Sequence, residues 1–217
     1  MLFRSVTRLS PTARREEIVA AALRVATTKG LANTTVRDVA AEMGTSSGLI
    51  HHYFASMDEV LAAAFEEAAG TDLATTEAAM LACTTASERL STFFASYTRT
   101  EEYRAFQMWL DAWAEASRRP ALGATSRRLN IAWQELVAAT LTEGVKEGRF
   151  VCDEPAATAW RVLSLLDGLS LQVAAHPGVI ERATVLDWAM TALEGEVGLP
   201  MRSLPRPSAD EGRAVAS

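Results

Sequence analysis

The stretch from residue 34 to residue 59 constrains the fold most, because its apolar residues predict two short helices around a tight turn. Val36, Val39 and Met43 recur at helical spacing, so the first helix has one face to bury. Gly44 ends that helix, since glycine adopts the left-handed conformation that a sharp turn requires. The second helix has apolar residues at similar spacing, namely Leu49, Ile50, Tyr53 and Phe54. This is the pattern of a DNA-binding helix-turn-helix, whose second helix enters the major groove.

Residues on both sides extend the match to a domain of roughly 45 residues, which is far more specific than a bare helix-turn-helix. They are Ile18–Leu23, Gly30, Thr34–Thr35, Val39–Ala40, Gly44, Ser46, Gly48, Tyr53–Phe54, Asp58 and Leu61. At these positions the chain resembles the TetR family of bacterial one-component regulators. The family usually has a lysine that contacts a DNA phosphate where this chain has Met57, so that contact is not carried over.

The resemblance and helical geometry select the same candidate DNA contacts. They are Thr35, Arg37, Thr45, Ser46, Ser47, Gly48, His51, His52 and Tyr53. Ser47 and His51 are predicted to face base edges, and Gly48 lets the helix approach the groove closely. Contacts with the DNA backbone are predicted for Thr35, Ser46, His52 and Tyr53.

Two of these predictions compete with other interpretations. The ring of Tyr53 can belong to the core beside Phe54, with its hydroxyl alone reaching DNA. His51 and His52 could suggest a metal site, but adjacent helical side chains point roughly 100° apart and cannot easily bind one ion. No metal or cofactor is therefore predicted.

The net charge of −6 is unevenly distributed along the 217 residues. Residues 1–57 carry seven Lys and Arg against four Asp and Glu, whereas residues 58–217 carry fourteen against twenty-three. A weakly basic head on an acidic body suits a protein that presents one end to phosphate. Arg4 and Arg8 precede the first predicted helix and form either a frayed terminus or a basic arm that reaches DNA.

Helical periodicity continues to the end of the body without strand-like alternation, which predicts an all-α fold. The first helix is expected to begin at Ser10–Thr12 and to end at Gly30, and Ser56–Glu59 has the capping-box spacing that begins a helix to about Met80. Further helices are predicted at 86–97, 101–117, 122–146, 155–175 and 183–197. The predicted domains are a DNA-binding head (1–57), a helical body (58–198) and a disordered tail (199–217).

The helix that begins at Pro155 is apolar on nearly every side, so it requires burial on both faces. The last helix, which contains Trp188, is also broadly apolar. In the TetR family the final two long helices pair with their symmetry mates in a four-helix bundle, and this sequence is similar. The resemblance therefore implies a homodimer that reads a palindromic operator in double-stranded DNA.

Aromatic residues of the body predict a pocket for a small organic effector between helices. The candidate lining residues are Tyr103, Phe106, Trp109, Trp113, Trp133 and Asp167. The alternative for each tryptophan is simple core packing. For Asp167, a polar contact across the dimer or a kink at Gly168 is the preferred alternative, since a buried carboxylate requires a partner.

The segment from Met108 to Gly148 resembles the C-terminal domain of choline-responsive BetI-type regulators. This resemblance does not assign choline as the ligand of this chain. An aromatic box with acidic neighbours would suit a quaternary ammonium. We find no GxSxG, GxxxxGK[ST], HExxH or GxGxxG, which argues against an enzyme. No apolar run approaches the roughly 20 residues of a membrane span, and a cytoplasmic location is expected.

These features predict a ligand-responsive homodimeric regulator, more specifically a repressor that an effector releases from its operator. Alternatives are an activator, a constitutive DNA-binding factor without effector control, and a small-molecule carrier or enzyme on the same scaffold.

Overall fold

The computed structural model describes residues 10–97 and 102–206, without the side chains of 102–105. All regular secondary structure in these ranges is helical, which confirms the all-α prediction. The helices are α1 (Pro11–Lys29), α2 (Val36–Glu42), α3 (Ser47–Tyr53), α4 (Met57–Leu81), α5 (Ala86–Ser96), α6 (Glu102–Glu115), α7 (Pro120–Lys146), α8 (Pro155–Ala175) and α9 (Arg182–Glu196). None of these helices is both long enough and apolar enough to span a membrane.

The helix ends follow the local sequence signals. The Ser10 hydroxyl accepts a hydrogen bond from the Ala13 N–H at 3.1 Å, and Gly30 ends α1 with a φ of 81°. At the start of α4, the Ser56 hydroxyl accepts from the Glu59 N–H at 3.2 Å, and the Glu59 carboxylate accepts from the Ala55 N–H at 3.0 Å. The predicted starts of both helices are therefore confirmed.

The described residues form two compact units. Unit 1 comprises residues 10–68 and Asp111–Ser126, and unit 2 comprises residues 69–97, 102–110 and 127–206. Unit 1 thus extends beyond the domain boundary predicted at residue 57, because it includes the first turns of α4 and the turn between α6 and α7. The sequence contains no composition change that would reveal the second of these segments.

The core of unit 1 holds α1, α2, α3 and the start of α4 together. Its largest fully buried side chains include Ile18, Ile50 and Phe54, and Val39 is also fully buried. Tyr53 and Met57 are half-buried and pack against this cluster. Burial of this kind fixes the position of a helix as short as α3, which could not be stable alone.

In unit 2, the segment after α9 differs from the predicted disordered tail. Glu194 of α9 is fully buried and accepts hydrogen bonds from the backbone N–H groups of Arg202 and Leu204 at 2.7 and 2.8 Å. Leu204 is buried as well, and the Arg206 guanidinium binds Glu194 at 2.6 Å. Residues 199–206 are therefore ordered, a correction to that prediction, while 207–217 lie outside the described residues.

Candidate DNA-binding surface and effector site

The turn between α2 and α3 has the geometry that the glycine predicts. Gly44 has a φ of 63° and donates its N–H to Ala41 O at 3.1 Å, while Thr45 donates to Ala40 O at 2.9 Å. At the other end of α2, the Thr35 hydroxyl and the Asp38 carboxylate form a reciprocal capping box. The turn bonds define how α3 follows α2, and the capping box defines where α2 begins.

Cations on α1 hold α2 in place. Arg24 pairs with Glu42 at 2.7 Å, and Lys29 pairs with Asp38. The Lys29 ammonium, followed by hydrogen bonds from Thr35, lowers the pKa of Asp38 to about 2. Asp38 is therefore ionised at neutral and mildly acidic pH, where it keeps its ion pair with Lys29.

Arg15 of α1 performs a similar role for α3. Its guanidinium donates to the Tyr53 carbonyl oxygen at 2.8 Å and lies 3.8 Å from the centroid of the Phe54 ring. A cation at the C-terminus of a helix interacts favourably with the helix dipole, and the ring face adds a cation–π contact. Arg15 thus orients the candidate recognition helix without lying on its exposed face.

The predicted DNA contacts all lie between Thr35 and Tyr53 in unit 1, and this stretch is called the α2–α3 surface below. The exposed members are Thr35, Arg37, Ser46, Gly48, His51 and His52, and the half-buried members are Thr45, Ser47 and Tyr53. The rings of His52 and Tyr53 meet edge-on, with centroids 5.0 Å apart. The structure therefore brings all nine predicted residues to the α2–α3 motif, as the sequence pattern requires.

The hydroxyl groups on this surface differ in their hydrogen bonding. Thr35 is engaged with Asp38, whereas Ser46, at the N-cap of α3, makes no capping hydrogen bond with its side chain. Arg37 is exposed and forms no ion pair with the described residues. Ser46 and Arg37 can therefore bind an external partner without breaking an internal bond, whereas Thr35 must share its hydroxyl.

Glycine at position 48 has no structural requirement within the chain. A Cβ added there would meet only the Ser46 Oγ, at an ordinary contact distance of 3.7 Å, and Gly48 lies inside α3 with ordinary helical backbone. Since glycine costs a helix roughly 1 kcal/mol relative to alanine, its presence is best explained by something outside the chain that approaches this face.

In unit 2, three aromatic rings form a cluster. Phe93 lies 5.5 Å from Tyr97 and 6.1 Å from Trp133, measured between ring centroids. Phe93 and Trp133 are buried and Tyr97 is half-buried. Trp133 is among the predicted lining residues, whereas Phe93 and Tyr97 are not, although Phe93 on α5 and Tyr97 directly after its end are four residues apart and lie on one face.

Two polar groups of unit 2 lack a partner among the described residues. Asp167 of α8 forms no ion pair or hydrogen bond with them, and burial raises the pKa of its carboxyl group to about 7. The Thr76 hydroxyl on α4 is buried without a hydrogen bond. Buried polar groups are normally paired, so the Thr76 hydroxyl and the half-buried Asp167 carboxyl group are candidates for ligand contacts.

The other predicted effector residues are distributed between the units. Trp109 is buried and Phe106 is half-buried, both in unit 2. Trp113 lies on the part of α6 that belongs to unit 1. The side chain of Tyr103 lies outside the described residues, as do Arg4 and Arg8 of the predicted arm.

Comparison with known proteins identifies both parts of the chain. The family model described as bacterial regulatory proteins of the tetR family matches residues 18–64. The model described as the C-terminal part of BetI-type transcriptional repressors matches residues 86–198.

Individual proteins agree with these matches. The transcriptional regulator BetI of Rhizobium meliloti is 29% identical over 163 residues, covering 73% of this chain and 77% of the relative. BetI of Paraburkholderia phymatum is 30% identical over 164 residues, covering 73% and 80%. A transcriptional regulator from Saccharomonospora viridis, solved in complex with choline, superimposes with a TM-score of 0.77 at 24% identity, covering 86% of this chain and 98% of the other. The chain therefore belongs to the TetR family of transcriptional regulators, with a C-terminal domain of the BetI type, and is not an enzyme.

Proposed function

We propose that this regulator is a homodimeric repressor that binds a palindromic operator and is released from it by a small organic cation. The observation that carries the DNA-binding part is the α2–α3 surface, where Arg37 and Ser46 are unengaged and Gly48 has no internal role. A repressor of this kind acts in the cytoplasm, where its operator lies. BetI-type relatives support the repressor assignment.

The dimer is proposed to form through α8 and α9. Trp160 on α8 and Trp188 on α9 are 40% and 50% exposed, and Leu171 on α8 is 42% exposed. Large aromatic side chains are enriched in the cores of protein interfaces. Because α8 and α9 pack on each other within one chain, their exposed faces can pair with the same faces of a second copy around a twofold axis.

The effector class follows from chemistry in unit 2. An ionised Asp167 would supply the negative charge that a cation needs, and aromatic faces such as those of Tyr97 and Trp133 attract quaternary ammonium groups. The S. viridis neighbour was solved with choline, which supports the same class here. Binding of such a cation would favour a dimer conformation whose recognition helices no longer match the two half-sites.

The direct test is DNA binding by the purified full chain. We expect gel-shift binding to a palindrome selected from random duplex DNA, with affinity that falls steeply as salt rises. Arg37→Ala should lower affinity about tenfold and reduce the salt slope by about two, because each subunit of the dimer loses one phosphate contact. Arg149→Ala is the matched control and should leave affinity unchanged, since Arg149 is an exposed arginine of unit 2 that pairs with Glu147. Absence of any selected sequence would contradict the proposal.

Substitutions of Gly48 should affect stability and DNA binding in different directions. Gly48→Ala should raise the free energy of unfolding by about 0.5–1 kcal/mol, and Gly48→Leu should leave the fold intact, because space is open around the position. Both variants should bind the operator more weakly, Leu more than Ala, by steric exclusion from the groove. Thermal melts and gel shifts measure the two effects, and wild-type affinity in Gly48→Leu would show that α3 does not approach DNA at this position.

A further inference from the structure

Two carboxylates in unit 1 accept backbone N–H groups from distant parts of the chain. Asp111 of α6 accepts from the Leu31 N–H at 2.9 Å, across 80 positions. Asp58 of α4 accepts from the N–H groups of Ala121 and Leu122 at 2.8 and 3.1 Å. All three bonds connect the α1–α4 part of unit 1 with the α6–α7 turn, which we define as residues 111–126.

The position of Asp111 depends on a glycine. Gly30 has a φ of 81°, and a Cβ added to it would lie only 2.9 Å from the Asp111 Oδ2. A side chain at position 30 would therefore be strained in its own backbone and would also displace the carboxylate. The neighbouring Leu31 is fully buried. Bulk water therefore cannot replace Asp111 as the acceptor for the Leu31 N–H unless the core opens.

Asp58 caps a helix other than its own. Pro120 begins α7 and has no N–H, so the N–H groups of Ala121 and Leu122 are the first that the helix itself cannot satisfy. The start of α4 is already capped by Ser56 and Glu59. The Asp58 carboxylate is therefore available to α7, where a negative charge also interacts favourably with the helix dipole.

The α6–α7 turn has hydrogen bonds and close packing of its own. The Glu115 carboxylate accepts from Arg118 and Arg119 at 2.6 and 3.1 Å, and these bonds lower the pKa of Glu115. A Cβ on Gly123 would lie 2.6 Å from the Ala116 carbonyl oxygen, so the two sides of the turn are in close contact. Because of these internal contacts, we expect the turn to move as one piece when its bonds with Asp58 or through Asp111 are displaced.

We propose that Asp58 and Asp111 are positioning residues that fix the α6–α7 turn to the DNA-binding head and thereby set the half-site spacing that the dimer accepts. The chain leaves unit 1 within α4, α6 and α7, and two of these three exits belong to the turn. While Asp58 and Asp111 bind the turn, the DNA-binding head is connected to the rest of the chain through α4, α6 and α7. If these bonds break, α4 is the only one of the three that still holds the head. The inference rests on the proposed function, since it presumes a dimer on a palindrome.

The test uses a series of operators whose half-sites are moved apart or together by one and two base pairs. Wild-type protein should show one clear optimum. Asp58→Ala and Asp111→Ala should lose about tenfold or more in affinity at that optimum and much less elsewhere, which flattens the profile. Asp58→Asn and Asp111→Asn should recover part of the preference, because an amide oxygen still accepts one N–H. Circular dichroism and thermal melts establish that each variant is folded.

Arg37→Ala is the matched control. It removes a proposed phosphate contact and leaves both carboxylates in place, so affinity should fall by the same factor at every spacing. An unchanged spacing profile in the folded Asn and Ala variants would overturn the inference and leave the proposed function intact. A wild-type protein that binds a single half-site as well as the palindrome would overturn the proposed function itself.

Discussion

Asp167→Asn is expected to leave operator binding intact and to abolish release by choline. The substitution keeps the size of the side chain and removes the negative charge that we propose as the counter-ion of the effector. Asp153→Asn, an exposed change of the same chemistry in unit 2, is the control and should respond to choline like the wild type. Release of the Asn variant from the operator at wild-type choline concentrations would eliminate Asp167 as the counter-ion.

A neutral carbon isostere of choline, 3,3-dimethylbutan-1-ol, tests the charge from the ligand side. It fills nearly the same volume, so an apolar pocket that only measures shape would bind both compounds. We expect release by choline and little response to the alcohol in the wild type. Equal response to both compounds would rule out an organic cation as the effector class.

The pH dependence of Asp167 follows from its burial. Because the pKa is raised to about 7 in the folded protein, the folded chain holds a proton between roughly pH 4 and pH 7 that the unfolded chain releases. The free energy of unfolding therefore falls as pH rises through this window. Without effector, Asp167→Asn should be more stable than wild type by up to about 4 kcal/mol at pH 8 and nearly equal at pH 4, as measured by urea unfolding. Choline affinity should rise with pH across the same range.

Much of the architecture could be predicted because the information is local. Helix periodicity, Gly30, Gly44 and the capping residues Ser10 and Ser56 act within a few positions of where they lie, so the boundaries of α1 and α4 follow from the sequence. The α2–α3 surface was predictable for the same reason. The roles of Asp58 and Asp111 were not, since each bonds to a backbone group more than 60 positions away and nothing nearby indicates the partner.

The effector site could be predicted only in part. Large aromatics signal a pocket or a core equally well, and the sequence cannot tell which rings meet. Phe93 on α5 contacts Tyr97, the residue that follows the helix, but Trp133 joins them through tertiary packing alone. Trp113, only four positions from Trp109, lies in the other unit, because the division between units falls inside α6.

The ordered segment after α9 leads to the largest expected effect on stability. Glu194→Ala should lower the free energy of unfolding by about 3–5 kcal/mol, since it leaves the backbone N–H groups of Arg202 and Leu204 without their acceptor and leaves the Arg206 guanidinium with Asp187 as its only carboxylate partner among the described residues. The matched control is Glu196→Ala, two positions along α9. Glu196 pairs with Arg161 at 2.6 Å in an exposed site, and loss of such a pair costs about 1 kcal/mol or less.

The proline-rich sequence around residue 200 suggested disorder because it has no apolar stripe. Order arises instead from one buried acid that satisfies several donors at once. Burial alone would raise the pKa of Glu194, but hydrogen bonds from Arg206, Leu204 and Arg202 outweigh it and the pKa lies below the ordinary value. The contribution to stability is therefore present above the unfolded pKa of about 4.3 and is lost as pH falls through the lower folded value. Urea unfolding at fixed protein concentration should show that the difference in the free energy of unfolding between Glu194→Ala and wild type shrinks toward pH 3. If this difference stays constant from pH 7 to pH 3, packing and not the ionised carboxylate holds residues 199–206 in place.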